Sequence, residues 1–161
     1  MINKKRAIVY CIIIGLIICY FVGKKVLFIE NYTGIEIDTE AVQSVTIFSK
    51  HLNEEYTTED SEDIEKVIEF LQSLKIRERN LYETIMGENF ALLITRRFTI
   101  RLYSGEAGND SNLIMEIIVL PTVPTGRIVI DGKGYKLSND TNSAYNDIYD
   151  LYYLIKGEKA K

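Results

Sequence analysis

The sequence predicts an α+β fold: an N-terminal transmembrane helix followed by one domain with an antiparallel sheet of about five or six strands and two helices packed on one face. Three observations lead to this prediction. An apolar run with basic residues at both ends opens the chain. Several later segments alternate apolar and polar residues, which is typical of half-buried strands. Two further segments repeat apolar residues at the helical period of 3.6.

The opening run is long enough to predict a membrane anchor. Residues 7–22 carry no charged side chain, and apolar residues resume beyond Lys24 and Lys25 as far as Ile29. A helix over residues 7–29 would reach about 34 Å, against a hydrocarbon core of roughly 30 Å. The two lysines have long stems and can place their charges near the headgroups. The sequence therefore predicts that residues 7–29 contact the lipid bilayer as a single span.

Cleavage and lipid attachment are the alternatives to a permanent anchor. A secretory leader needs small residues at positions −1 and −3 of its cleavage site, and Phe21 stands at −3 if Gly23 is at −1. A bacterial lipoprotein signal needs a small residue before the modified cysteine, but Tyr10 precedes Cys11 and Ile18 precedes Cys19. These residues favour an uncleaved anchor, with cleavage near Gly23 as the main alternative.

Charge indicates the orientation of the chain and excludes one class of partner. Three basic residues precede the apolar run and two follow it, so the positive-inside rule predicts a cytoplasmic N-terminus and an extracytoplasmic C-terminal domain at the cell membrane. Residues 30–161 carry fourteen Lys/Arg against twenty-three Asp/Glu, a net charge of −9. Nucleic-acid binding requires a basic surface, so such an acidic domain argues against a nucleic-acid partner.

The rest of the chain has the length of one ordinary domain. We predict a cytoplasmic tip and anchor over 1–29, a juxtamembrane linker over 30–40, one α+β domain over 41–157 and a tail over 158–161. Strands are expected at residues 42–49, 55–58, 90–102 with a bulge near Arg96, and 113–120. A hairpin is expected in residues 127–137, where Asp131-Gly132 favours a two-residue turn.

Two helices complete the predicted domain. The first begins at Asp60 or Ser61, because acids follow in its first turn and apolar residues recur up to Leu74. The second begins within residues 138–141 and ends at Gly157. Its predicted apolar stripe consists of Ala144, Ile148, Leu151 and Ile155.

The motifs give no catalytic, cofactor or metal site. His51 is the sole histidine. The usual metal triads and nucleophile–base pairs need more histidines than this one. The acidic run over 54–63 lacks the glycine and glutamate positions of a calcium loop. Gly132–Gly134 lacks the phosphate-loop pattern and links two strands. The sequence therefore predicts a protein that is not an enzyme.

Two groups of side chains are the candidates for contact with a partner. The last predicted helix carries a tyrosine stripe, and tyrosine rings suit contacts with peptides or sugars. The long strand carries arginines that form a basic strip on an acidic domain, with Arg127 as a further neighbour. Under the alternative interpretation, the tyrosines only border the packed face of their helix. The arginines are then solvated residues of the strand. The candidate residues are Tyr145, Tyr149, Tyr152, Tyr153, Arg96, Arg97 and Arg101.

The order of these parts resembles small, uncharacterised membrane-anchored or lipoprotein-like extracytoplasmic domains of Gram-positive bacteria. The resemblance rests on the lysine-flanked anchor, VQSVTIF, TTEDSEDIEKVIEFLQSL and IVIDGKGYKL before a closing helix. It implies a membrane-anchored, non-catalytic binding or accessory domain whose partner is an envelope protein or a cell-wall component. The alternatives are an extracytoplasmic hydrolase that acts on peptide or wall glycan, and a subunit of a membrane complex that uses its transmembrane helix.

Overall fold

The computed structural model describes residues 4–27, 31–80, 83–84, 96–120, 127–138 and 141–157. These residues form three helices and one antiparallel sheet of eight strands. The helices are α1 (Lys4–Leu27), α2 (Ser61–Ser73) and α3 (Thr141–Ile155). The strands are β1 (Thr33–Gly34), β2 (Ser44–Ser49), β3 (Glu54–Thr58), β4 (Lys75–Glu78), β5 (Phe98–Tyr103), β6 (Leu113–Leu120), β7 (Arg127–Ile130) and β8 (Lys133–Leu137).

The sheet has the strand order β1-β4-β8-β7-β6-β5-β2-β3. Strands β5 to β8 form a continuous meander at its centre. The β2–β3 pair extends the sheet beyond β5, and β4 with β1 extends it beyond β8. α2 connects β3 at one edge to β4 near the other, so the connection crosses the sheet.

The structure corrects the predicted number of strands from five or six to eight. The two missed strands are β1, which is two residues long, and β4, which has the sequence KIRE. Neither has the alternation of several apolar residues by which strands are recognised in a sequence. β1 lies within the range predicted as linker, where Thr33 pairs with Ile76. The part of the predicted 90–102 strand that precedes Arg96 lies outside the described residues. The register shift between β5 and β6 falls at Leu102 and Tyr103, where Ile114 is the extra residue of β6.

The structure also corrects the prediction of a transmembrane helix. In the parts of the chain that are described, no helix is both long enough and apolar enough to cross a membrane. The fold prediction is wrong on this point.

Both α2 and α3 pack on one face of the sheet, here called the inner face. Alternate strand residues such as Ile47, Ile100 and Ile117 are fully buried there, in one core cluster with residues of both helices. Three members of the predicted α3 stripe are buried, namely Ala144, Ile148 and Ile155, whereas Leu151 is half-buried and Tyr152 is fully buried in its place. The other face of the sheet, the outer face, carries Thr46, Thr99, Arg101 and Lys136 at the alternating positions.

Local sequence signals determine the ends of several elements. The Asp60 carboxylate accepts the backbone N–H groups of Glu62 and Asp63 at 3.0 and 3.2 Å, so Asp60 caps α2 as its sequence predicts. Asp131 and Gly132 have positive φ angles of 47° and 78°, as a two-residue hairpin turn between β7 and β8 requires. Gly157 ends α3 with φ 71°.

A buried ion pair lies on the outer face near β4. The Arg77 guanidinium donates to both carboxylate oxygens of Glu83, at 2.8 and 2.6 Å, and both side chains are less than a tenth exposed. The backbone N–H of Asn80 and Nζ of Lys136 donate to the same carboxylate. Burial alone would raise the pKa of Glu83, but these hydrogen bonds outweigh it and lower the pKa from 4.5 to about 2.

We predict that Glu83→Gln destabilises the protein by about 3 kcal/mol, because the substitution leaves a buried guanidinium without its carboxylate. Because folding lowers the pKa of Glu83, its ionised carboxylate stabilises the folded protein above about pH 4.5. This stabilisation is lost as the pH falls towards 2. Urea unfolding from pH 7 to pH 2.5 should therefore show a weaker pH dependence in the variant.

Glu116→Gln is the matched control for this measurement. Glu116 accepts a hydrogen bond from Arg101 at 2.8 Å, but both side chains are substantially exposed. Loss of the Glu116 charge should lower the free energy of unfolding by less than about 1 kcal/mol. Equal losses in the two variants would contradict the role assigned to Glu83.

Candidate functional site

A groove of about 610 Å³ runs along α2 on the outside of the domain. Its other wall is formed by a short 3-10 helix, Thr39–Ala41, and by the two residues that follow it, Val42 and Gln43. This volume lies within the range of roughly 300–1,000 Å³ that is usual for binding pockets.

The α2 side of the groove is one stripe of the helix. Six residues contribute to it at spacings of three and four: Ser61, Ile64, Glu65, Ile68, Glu69 and Gln72. Residues three and four apart lie on the same side of a helix, so the stripe is continuous. It extends about 17 Å along the axis, at 1.5 Å per residue.

The groove has an apolar floor and an acidic rim. Val42, Ile64 and Ile68 form the floor and are each less than a tenth exposed. Glu59, Glu65 and Glu69 are exposed on the rim, and no lysine or arginine is among the lining residues that the structure describes. Within the described part of the chain, no salt bridge involves these three glutamates; the nearby Lys66 pairs with Glu62 and Asp63 instead. The rim is therefore a concentration of negative charge that no described cation pairs with.

A smaller, more polar pocket of about 300 Å³ lies on the outer face beside β2, β3 and β5. Thr46 and Thr57 meet at its base with their hydroxyls 2.9 Å apart. Arg101, one of the predicted site residues, lies on its wall and donates to Glu116 at 2.8 Å. Glu59 lines both this pocket and the groove.

The predicted tyrosine stripe belongs to an aromatic cluster around Phe98 of β5. Its ring centroid lies 5.2 Å from that of Tyr145, 6.2 Å from Tyr149 and 5.8 Å from Tyr152. Tyr152 is fully buried and Tyr153 is 9% exposed. Tyr149 and Tyr153 therefore do not form an exposed ridge, and their main contacts lie within the domain.

The polar tips of these tyrosines also have partners inside the domain. The hydroxyls of Tyr149 and Tyr153 are 3.5 Å apart, and this contact, together with burial, raises the pKa of Tyr153 to about 12. The Tyr152 hydroxyl donates to Glu54 at 3.2 Å, and Lys156 donates to the same carboxylate at 2.7 Å. Both hydrogen bonds lower the pKa of Glu54, and the one from Lys156 has the larger effect. These contacts tie the end of α3 to β3.

The predicted arginine residues do not gather into one strip. Arg96 is exposed and lies close enough to Tyr145 to influence its ionisation, although burial dominates and raises the pKa of that tyrosine. Arg97 is half-buried, and its carbonyl accepts the backbone N–H of Lys50 at 3.0 Å. Arg101 is held by Glu116 on the outer face.

The groove cannot be recognised in the sequence because its two walls come from separate segments. The acids of α2 are explained equally well as capping and solvated residues when the helix is considered alone. The one available signal is that Glu65 and Glu69 directly follow the apolar positions Ile64 and Ile68. His51 lies exposed in the turn between β2 and β3, and no metal-binding group of three His, Cys, Asp or Glu side chains occurs among the described residues.

Comparison with known proteins adds no relative: no family model, curated protein or solved structure matches this chain.

We predict that Tyr152→Ala destabilises the protein by about 3–5 kcal/mol, because it empties a fully buried aromatic site and removes the bond to Glu54. Leu154→Ala is the control on the same helix, since Leu154 is 63% exposed and should change stability by no more than about 0.5 kcal/mol. Chemical denaturation measures both. A Tyr152 variant as stable as the control would show that the aromatic cluster does not hold α3 on the sheet.

Proposed function

We propose that this protein is a non-catalytic binding or accessory domain of the cell envelope that takes a basic segment of a partner protein in the α2 groove. The observation that carries the proposal is the rim of Glu59, Glu65 and Glu69 around an apolar floor, with no cation among the described residues of the lining.

The charge of the rim favours a cationic ligand. Glu65 and Glu69 are four residues apart on α2, a spacing at which like charges repel and destabilise a helix by about 0.2–0.5 kcal/mol. A bound ammonium or guanidinium group relieves this repulsion and gains the attraction of two carboxylates. The net charge of −9 over residues 30–161 also attracts a basic segment before contact.

The shape of the groove suits lysine and arginine side chains. Both have an apolar stem that can lie on the floor of Val42, Ile64 and Ile68 while the charged head reaches the rim. A length of about 17 Å accommodates roughly five residues of extended chain or three turns of a helix. A short basic segment therefore matches the groove in both charge and size.

The location at the envelope rests on α1. Its described side chains from Tyr10 to Val22 are apolar apart from their tyrosine hydroxyls, and Tyr10, Leu16 and Phe21 are 63–65% exposed. A helix that is apolar around its whole circumference requires an apolar environment. We propose that α1 contacts lipid and holds the acidic domain near the outer surface of the membrane.

The groove can be tested with a synthetic peptide of about fifteen residues built from leucine and lysine. The double variant Glu65→Gln/Glu69→Gln should bind it about tenfold more weakly than the unmodified chain, because two rim charges at about 0.7 kcal/mol each are lost. Glu62→Gln/Asp63→Asn is the matched control, since it removes the same charge from the same helix outside the groove. Fluorescence anisotropy of a labelled peptide gives the dissociation constants.

Equal weakening by both double variants would show that the net charge of the domain, not the groove, attracts the peptide. Tight binding of a leucine–glutamate peptide would also contradict the proposal. Mass spectrometry of the peptide after incubation distinguishes binding from hydrolysis: we expect an intact peptide, and specific cleavage would favour the alternative of an extracytoplasmic hydrolase.

The location has a separate test. We expect the full chain to float with neutral lipid vesicles, and Ile14→Lys to reduce the floating fraction severalfold, because a charged side chain in the hydrocarbon costs about 3 kcal/mol. Leu154→Lys, which places the same charge at an exposed position of α3, should float like the unmodified chain. Flotation unaffected by Ile14→Lys would contradict lipid contact through α1.

A further inference from the structure

The outer face carries a row of cationic side chains across three neighbouring strands. Arg127 of β7 is paired with Lys136 of β8, and Lys136 is paired with Arg77 of β4. Residues directly opposite one another in antiparallel strands share a face, so the three side chains lie side by side. Like charges in such positions repel one another. An acidic domain therefore gathers several of its few cations in one place.

A fourth cation, Arg79, joins this row above Gly134. A Cβ atom on Gly134 would stand 3.4 Å from Nη1 of Arg79 and 3.7 Å from Nε of Arg127. The heads of the two arginines therefore converge over the bare backbone of β8. Nη2 of Arg79 and Nε of Arg127 are buried, although both side chains are partly exposed as a whole.

Among the residues that the structure describes, the carboxylate seen to bond with this row is that of Glu83, and its hydrogen-bonding capacity is used. Glu83 accepts two hydrogen bonds from Arg77, one from Lys136 and one from the backbone N–H of Asn80. Two bonds at each oxygen fill the sites that a carboxylate offers. Glu83 thus neutralises the Arg77 end of the row. Arg79 and Arg127 have contacts of their own within the protein, but each guanidinium has five N–H donors and can serve several acceptors at once.

We propose that Arg79, Arg127 and Lys136 form a binding site for a phosphate group on the outer face over Gly134. Guanidinium groups bind oxyanions through parallel N–H bonds, and two of them meet at this point. In the same cluster, Glu83 uses both of its carboxylate oxygens to bind one guanidinium, that of Arg77. A phosphate has more oxygens and up to two negative charges, so it matches two guanidinium groups and the half-exposed Lys136 ammonium. The site is separate from the α2 groove and binds the opposite charge.

The phosphate can belong to a free phosphate ester or to a lipid headgroup, and the experiment distinguishes these sources. The full chain in a non-ionic detergent is titrated with glycerol phosphate, and the arginine Nε–H signals are followed by NMR. We expect the signals of Arg79 and Arg127 to shift and that of Arg101 to remain. The same titration with acetate should give binding about tenfold weaker or less, because one carboxylate uses a single guanidinium fork.

Three variants test which side chains are responsible. Arg79→Gln and Arg127→Gln should each weaken phosphate binding about tenfold or more, through loss of charge-assisted hydrogen bonds. Arg101→Gln is the matched control, because it removes the same charge from the same face but lies beside Glu116. Gly134→Val preserves all charges and should also abolish binding, because its methyl groups occupy the space of the two arginine heads.

Phosphatidylglycerol vesicles complete the comparison. Binding of vesicles that depends on Arg79 and Arg127, without binding of glycerol phosphate, identifies a lipid headgroup; binding of both identifies a general phosphate site. The proposal is overturned if the Arg79 and Arg127 signals of the unmodified chain do not respond to either probe. It is also overturned if acetate binds as tightly as phosphate, or if Arg101→Gln weakens binding as much as Arg127→Gln.

Discussion

Burial of the inner sheet face beneath α2 and α3 is the constraint on which the rest of the structure depends. Beneath α3, Phe98 is surrounded by the rings of Tyr145, Tyr149 and Tyr152. Rings at such centroid distances add to the free energy of burial that holds a helix on a sheet. Because both helices use the same face, the outer face can carry threonines and charged residues.

The polar surfaces of the domain are divided by charge. Acidic side chains line the groove along α2, and the cations Arg79, Arg127 and Lys136 collect over Gly134 on the outer face. The two regions belong to different sides of the sheet, since α2 covers the inner face. Such a separation allows a basic segment and a phosphate group to be bound without competition. It also explains how a domain with a net charge of −9 can retain a site for an anion.

Two buried polar side chains of this fold, Glu83 and Tyr152, are matched by hydrogen bonds. Glu83 accepts four of them, and Arg77 also donates to the Glu78 carbonyl at 2.9 Å. The desolvation cost of burying this pair is offset in this way, and the pair fixes the segment that follows β4 against the edge of the sheet. The same principle applies to Tyr152, whose buried ring keeps its hydroxyl bonded to Glu54.

The sequence by itself determined the elements that depend on local chemistry. Asp60 caps α2 through its own side chain, Asp131-Gly132 turns the β7–β8 hairpin, and apolar periodicity identifies the helices and the central strands. Only the tertiary structure decided what depends on distant residues. β1 and β4 are too short and too polar to be recognised before they pair with β8 and with each other. Likewise, the groove needs Val42 beside α2, and the cationic cluster needs three strands in register, which no single stretch of sequence contains.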